Sequence, residues 1–224
     1  MSEQNISSEY NYAETVNSMN LLPAIDSGII GHSPLEHADF SSVAAAQTEL
    51  QSSIELTEMK LLGHIVIRGK PENLAFAEAV ESVLGLALPK CLSVNRKETV
   101  SIRWISPDEW LVIVPAEQSY QIEHALVAKM QGHCAVVNVS GGQTLLRLQG
   151  KDVTKLLQKS MPIDVHDRSF PIGKVVTSVF AKTQAVLSRT GDQEWELVIR
   201  RSFADYVWLW IQDSCAEFDL IIRQ

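Results

Sequence analysis

The side chains best suited to acid–base chemistry stand together in the tetrapeptide Asp164-Val165-His166-Asp167. A histidine flanked by carboxylates is a residue pattern that general acids and bases use, because the imidazole titrates near neutral pH. The same four residues also suit a polar loop in which an aspartate caps backbone N–H groups. The polar loop is the favoured interpretation, and the acid–base group is the alternative.

The histidines and cysteines do not stand at the spacing of a metal site. His32 and His37 are five residues apart in an expected loop, and no cysteine is near enough in the sequence to complete a zinc site. Cys91, Cys134 and Cys215 are far apart and form no CxxC pair. This sparse, odd count predicts reduced thiols, and the three are expected to be small core residues.

Motifs of nucleotide binding and hydrolysis are absent from the sequence: it contains no GxSxG, P-loop, HExxH or GxGxxG pattern. Gly141 and Gly142 lie between two expected strands and predict a tight turn. His64 and His133 flank expected strands and are interpreted as surface or hydrogen-bonded core residues. We therefore predict no catalytic, cofactor-binding or metal-binding residue in this chain.

Composition and charge exclude several classes of partner. The 224 residues are 46% hydrophobic and 21% charged, which is typical of a globular protein. Residues 1–59 contain nine acidic residues and no Lys or Arg, so the net charge of −8 leaves +1 for the remainder. A nearly neutral body with an acidic arm does not suit nucleic acid or an anionic membrane. The absence of a long apolar run and of a secretory signal predicts a cytoplasmic protein.

The elements expected to position these side chains begin near residue 60, after a flexible acidic arm at 1–32. A strand at 64–69 is followed by a helix that starts near Pro71 and ends before Gly85. Strands at 99–105 and 110–114 are joined by a turn containing Pro107. The first half, about 60–140, closes with a helix and a strand, at 120–130 and 134–139. This β-α-β-β-α-β order is typical of a ferredoxin-like unit.

The second half, about 141–224, partly repeats that order. A strand is expected at 144–148 and a short helix at 151–159. Three strands and a final helix follow, at 175–181, 185–189, 195–200 and about 203–218. The predicted fold class is therefore α+β, with two fused ferredoxin-like β-α-β-β units forming one domain over 33–224.

The final helix has one apolar stripe and one unexplained tryptophan. Phe203 lies on the stripe, which is expected to face the core, and Ser202 is expected to cap the helix N-terminus. Trp208 falls outside the stripe beside Leu209. An exposed tryptophan at this position indicates either a contact surface or a chance exposure of apolar surface.

Several segments together resemble one known family. They are SPLEHADF (33–40), SPDEWLVIVP (106–115), VVNVSGGQTLLRLQGKDVTKLLQK (136–159), PIDVHDRSFPIGKVVTS (162–178) and VIRRSFADYVWLWI (198–211). In this order and spacing they are similar to the gamma subunit of heterotetrameric sarcosine oxidase. The resemblance extends from about residue 33 to the C-terminus. That family is in turn similar to the folate-binding fold of aminomethyltransferases, most clearly at 144–157.

The resemblance implies a non-catalytic structural subunit of a flavin-dependent αβγδ complex. Such a complex oxidises sarcosine to glycine and transfers the methyl carbon to tetrahydrofolate. The partners implied are the alpha, beta and delta subunits. FAD, FMN, NAD, tetrahydrofolate and zinc are expected in those subunits and not in this chain.

The residues proposed to contact partners lie outside the expected repeat core. They are Ser33, Pro34, Leu35 and His37, together with Trp208. Two other functions remain open. One is a small folate-binding protein or one-carbon transferase acting alone, and the other is an assembly scaffold for a related amine oxidase.

Overall fold

The computed structural model describes residues 31–38 and 53–223. Within these ranges the chain forms eleven strands and four α-helices. In chain order they are β1 (Ile54–Met59), β2 (Gly63–Arg68), α1 (Leu74–Leu84), β3 (Val94–Lys97), β4 (Val100–Ser106), β5 (Glu109–Val114), α2 (Ala116–Lys129), β6 (Ala135–Asn138), β7 (Gln143–Gln149), α3 (Val153–Ser160), β8 (Val175–Phe180), β9 (Thr183–Gly191), β10 (Glu194–Arg200), α4 (Ala204–Ser214) and β11 (Leu220–Arg223).

The strands form two sheets, so the α+β class is confirmed. The smaller sheet has the order β3-β4-β5-β2-β6, and its described pairings are all antiparallel. The larger sheet has the order β11-β1-β7-β10-β9-β8. It is antiparallel except at one edge, where β1 pairs with β11 in parallel. Strand β1 comes from residues before 60, to which the sequence interpretation assigned no element.

The ends of α1 illustrate how local chemistry sets the element boundaries. The helix begins after Asn73, whose side-chain oxygen accepts a hydrogen bond from the N–H of Ala75 at 3.1 Å. The expected start near Pro71 is therefore slightly early. Gly85 ends the helix, as predicted, because its φ of +64° lies in the left-handed region that glycine adopts without strain.

The two sheets pack face to face, and the helices cover their outer surfaces. Between the sheets, Leu111 and Ile113 of β5 contact Leu145 of β7 and Val198 of β10. On the outside of the smaller sheet, Phe76 and Leu126 bring α1 and α2 into a second apolar cluster. The largest cluster lies under α3 and α4, on the outside of the larger sheet. The layer order is therefore helix, sheet, sheet, helix.

A buried ionic cluster crosses the layer between the sheets. Glu196 of β10 accepts hydrogen bonds from Arg103 of β4 and from Arg96 of β3. Burial lowers the pKa of Arg103 to about 10, so the guanidinium stays charged at neutral pH. Burial opposes the ionisation of Glu196, but the two arginines outweigh it, and its pKa is lowered. The cluster therefore joins the two sheets through a paired, desolvated charge.

Trp208 and Leu35 correct two expectations about exposure. Trp208 is only 7% exposed and belongs to the largest core cluster, so its predicted exposure is wrong. Leu35 is fully buried in the same cluster, and Ser33 is buried as well. The buried residues of α4, Ala204, Val207, Trp208 and Ile211, form one ordinary helical stripe, and this stripe includes Trp208, unlike the predicted one.

The start of α4 also differs from the prediction. A short 3₁₀ turn, Arg201–Phe203, precedes the helix, and the residue at the cap position is Phe203, with no side-chain capping bond. Ser202 is therefore not the cap, and Phe203 is 42% exposed where a core position was expected. Among the cysteines, Cys215 is buried as predicted, whereas Cys91 is exposed and Cys134 is only partly buried.

Candidate functional site

A cavity of about 660 Å³ opens where the two halves of the chain meet. Its walls come from the β1–β2 connection, the first turn of α2, the β6–β7 connection and the short segment 31–34. Its lining residues include Pro34, Leu61, His64, Ser119, Asn138, Ser140 and Arg201. Because these residues come from both halves, no single motif of the sequence contains the cavity.

Gly63 allows strand β2 to approach the first turn of α2. A β-carbon at Gly63 would lie 2.7 Å from the Cβ of Ser119 and 2.7 Å from Cγ2 of Val114, closer than real side chains approach. Glycine is therefore required by the packing, and not by a turn. Helix α2 begins after Pro115, which offers no side-chain capping bond. Its first turn therefore has no side-chain cap, and Ala116 and Glu117 of this turn line the cavity.

A polar network fixes the wall behind the cavity. Asn138 donates through Nδ2 to Glu123 at 2.9 Å and to Ser119 at 3.2 Å, joining β6 to α2. Its Oδ1 accepts from the Ser140 hydroxyl at 2.6 Å. The Ser140 oxygen accepts in turn from the backbone N–H of His64 at 2.9 Å. Glu123 is fully buried, so this network holds a desolvated carboxyl group.

His64 is a neutral, buried imidazole in this wall. Its Nδ1 lies 3.2 Å from the carbonyl oxygen of Leu62, which requires the proton to be on Nδ1. Burial, with a smaller contribution from Arg103, lowers the pKa of His64 to about 4. Its Nε2 has no hydrogen-bond partner among the described residues. The ring therefore forms no serine–histidine pair within the described part of the chain.

Leu61 lies at the cavity mouth in a strained conformation. Its φ of +53° lies in the left-handed region that non-glycine residues rarely adopt, and its side chain is 52% exposed. This backbone conformation costs roughly 1–2 kcal/mol for a residue with a β-carbon. The β1–β2 turn thus holds an apolar side chain in solvent at a local energetic cost.

A second cavity of about 520 Å³ adjoins the first and is richer in charge. Arg200, Arg201 and Ser202 line it at the junction of β10 and α4, together with Asp205. Pro34 and Arg201 line both cavities, so the two are continuous at these residues.

The segment 31–38 is held in place beside both cavities. The Ser33 hydroxyl donates to Glu58 of β1 at 2.7 Å, and Thr144 of β7 donates to the same carboxylate at 2.9 Å. At the other end of the segment, Nε2 of His37 lies 2.7 Å from Oδ1 of Asp205. The first four contact candidates therefore stand together, with Pro34 in the cavity walls. Trp208 lines neither cavity and belongs to the core cluster that also contains Leu35.

The acid–base candidate at 164–167 forms a local turn. Asp164 accepts hydrogen bonds from the N–H of His166 at 2.9 Å and from the Ser169 hydroxyl. These are the contacts of the polar-loop interpretation. In the part of the chain that the structure describes, no group of three or more His, Cys, Asp or Glu side chains could hold a metal ion. No helix of that part is long and apolar enough to cross a membrane.

Sequence reasoning missed most residues of the cavity wall. His64 was assigned to the surface or to a satisfied core position, and Asn138, Ser140 and Arg201 were not considered. One signal was present in the sequence: SGGQ at 140–143 connects two strands with small and polar residues. The pairing of β2 with β6 brings this connection beside His64.

The family model of "Sarcosine oxidase, gamma subunit family" matches residues 68–217. Sarcosine oxidase subunit gamma of Corynebacterium sp. (strain P-1) is 30% identical over 197 residues, which cover 87% of this chain and 94% of that protein. The protein of the same name from an Arthrobacter species is 29% identical, with the same coverage. An aminomethyltransferase of Listeria monocytogenes serotype 4a (strain HCC23) is 24% identical over 161 residues, 68% of this chain and 44% of that protein.

Two solved structures resemble the fold. A chain of the heterotetrameric sarcosine oxidase from Corynebacterium sp. U-96, in complex with pyrrole 2-carboxylate, superposes with a TM-score of 0.76 and 26% identity. The match covers 84% of this chain and 96% of that one. Aminomethyltransferase T from Bartonella henselae gives a TM-score of 0.59 at 12% identity, over 80% of this chain and 50% of the enzyme. The second match concerns the fold alone.

Proposed function

Because this chain belongs to the sarcosine oxidase gamma subunit family, we propose that it is a structural, non-catalytic subunit of a heterotetrameric sarcosine oxidase. The observation that carries the proposal is the extent of the match. The family model covers residues 68–217, and the curated gamma subunits align over 94% of their own length. The similarity thus extends through both sheets and both cavities, and is not confined to one shared element.

The proposed partners are the alpha, beta and delta subunits of a flavin-dependent complex. The complex would oxidise sarcosine to glycine and pass the methyl carbon to tetrahydrofolate. We assign FAD, FMN, NAD, tetrahydrofolate and zinc to the partner subunits. The three free cysteines favour a cytoplasmic location for the complex.

The fold proposal accompanying this function is a duplication of one ferredoxin-like unit. The order β6-β2-β5-β4-β3 in the smaller sheet has its counterpart in β11-β7-β10-β9-β8 of the larger sheet, interrupted only by β1. Along the chain, α1 follows β2 and α3 follows β7. Likewise, α2 precedes β6 and α4 precedes β11. Equivalent elements in equivalent order support two copies of one unit.

Isolation of the tagged full chain from its native host tests the functional proposal. We expect a yellow assembly with three further chains that produces hydrogen peroxide when sarcosine is added. The visible spectrum, the subunit masses and a peroxide assay measure this. A colourless chain that purifies without partners would contradict the proposal.

A second candidate is a folate-binding protein or one-carbon transferase that acts alone. The larger cavity favours it, since about 660 Å³ lies within the range of small-molecule sites and polar groups converge there. This candidate requires saturable binding of tetrahydrofolate by the purified chain. Calorimetric titration without heat, together with an unchanged melting temperature, would exclude it.

A further inference from the structure

The surface around the two cavities combines free positive charge with exposed apolar side chains. We define this surface, the arginine rim, by Pro34, Leu61, Arg200, Arg201 and Phe203. The side chains of Arg200 and Arg201 have no ion-pair or hydrogen-bond partner among the described residues. Oδ1 of the neighbouring carboxylate, Asp205, lies 2.7 Å from Nε2 of His37. Two guanidinium groups are therefore available to an external carboxylate.

The arginine rim also contains apolar side chains that are exposed to solvent. Phe203 and Leu61 are 42% and 52% exposed, and Leu61 is held there by a strained backbone. Leu209, one turn beyond Asp205 on α4, is 61% exposed. Aromatic side chains and arginine are enriched in protein interfaces, and the charged groups around an apolar centre set orientation and association rate.

The distribution of these side chains distinguishes a polypeptide from a small molecule. Arg201 and Leu61 line the larger cavity, and Arg200 lines the smaller one. Phe203 and Leu209 line neither cavity. A ligand enclosed by one cavity would leave these two side chains in water. A polypeptide that crosses the rim and continues along α4 would cover both of them and reach both arginines.

We propose that the arginine rim binds an acidic segment of another subunit of the same complex, with carboxylates at Arg200 and Arg201 and apolar side chains against Phe203 and Leu61. This inference rests on the proposed function, which supplies the partner. Of the contact candidates predicted from the sequence, Pro34 and His37 keep a role at the partner surface. Ser33 and Leu35 act beneath the surface by anchoring the segment that carries them.

A charge reversal tests the inference in the assembled protein. The full chain carrying Arg200→Glu and Arg201→Glu is titrated against the remaining subunits, purified together from a host that lacks this chain. We expect the dissociation constant to rise at least tenfold, because each reversal places like charges together. Raising the salt concentration is expected to weaken wild-type binding more than binding of the variant.

The control pair is Arg168→Glu with Lys182→Glu, which makes the same change in net charge at exposed positions lining neither cavity. Arg201→Gln and Phe203→Ser are measured singly, each with its melting temperature, so that a folding defect is separated from a binding defect. Unchanged affinity in the charge-reversal and Phe203 variants, with normal wild-type assembly, overturns this inference alone. Failure of the wild-type chain to associate overturns the proposed function, and this inference with it.

Discussion

At the residue scale, His64 links the cavity wall to the pH dependence of folding. Its folded-state pKa of about 4 lies below the ordinary value near 6.5, because burial disfavours the charged imidazole. Between these two values the unfolded chain binds more protons at this position than the folded chain. The stabilisation from a neutral His64 is therefore complete above pH 6.5 and decreases as the pH falls.

The expected contribution of His64 is a loss of up to about 3 kcal/mol in the free energy of unfolding between pH 6.5 and pH 4. The variant His64→Gln removes the titrating group, so its stability is expected to vary less over this interval. Urea denaturation at a series of pH values measures the difference. His133→Gln, at an exposed position, serves as the control. Parallel pH profiles for wild type and His64→Gln would contradict the assignment.

At the element scale, the contact between β2 and the first turn of α2 shapes the larger cavity. Gly63→Ala would place a methyl group 2.7 Å from atoms of Ser119 and Val114, so the strand and the helix must separate. Overpacking of this kind typically costs about 1–3 kcal/mol. We expect a lower melting temperature together with slower assembly with partner subunits.

Gly142→Ala is the matched control for this prediction. A β-carbon at Gly142 would meet no atom within 4 Å, although the residue lines the smaller cavity. We expect its stability to stay within about 0.5 kcal/mol of wild type. Equal stability of the Gly63 and Gly142 variants would show that the strand–helix contact is not tight.

At the scale of the whole molecule, the buried ionic cluster holds the two sheets in one relative position. Glu196→Gln would leave the buried Arg103 guanidinium without a counter-charge, which typically costs about 3–5 kcal/mol. Glu194→Gln is the control, because Glu194 is more exposed and lies 3.5 Å from Arg147. Chemical denaturation measures both variants. A loss below 1 kcal/mol for Glu196→Gln would show that the pair is not needed to join the sheets.

The sequence by itself determined the family and most elements after residue 60, but the short strands β3 and β11 were not predicted. Strand alternation, helical stripes and glycine stop signals are local, so they predicted β2, α2, β7 and α3 within a few residues. The end of α1 at Gly85 was predicted for the same reason. The ordered family segments determined the assignment to the gamma subunits.

Only the tertiary structure decided which surfaces are covered and where the cavities lie. Strand β1 enters the larger sheet between β11 and β7, although these are distant in the chain. Trp208 is buried against expectation, in a core cluster that also contains Leu35 and residues of β11. The cavities form where the starts of β2, β7, α2 and α4 converge. Burial and cavity shape depend on contacts between residues that are distant in the chain. Local periodicity in the sequence does not predict those contacts.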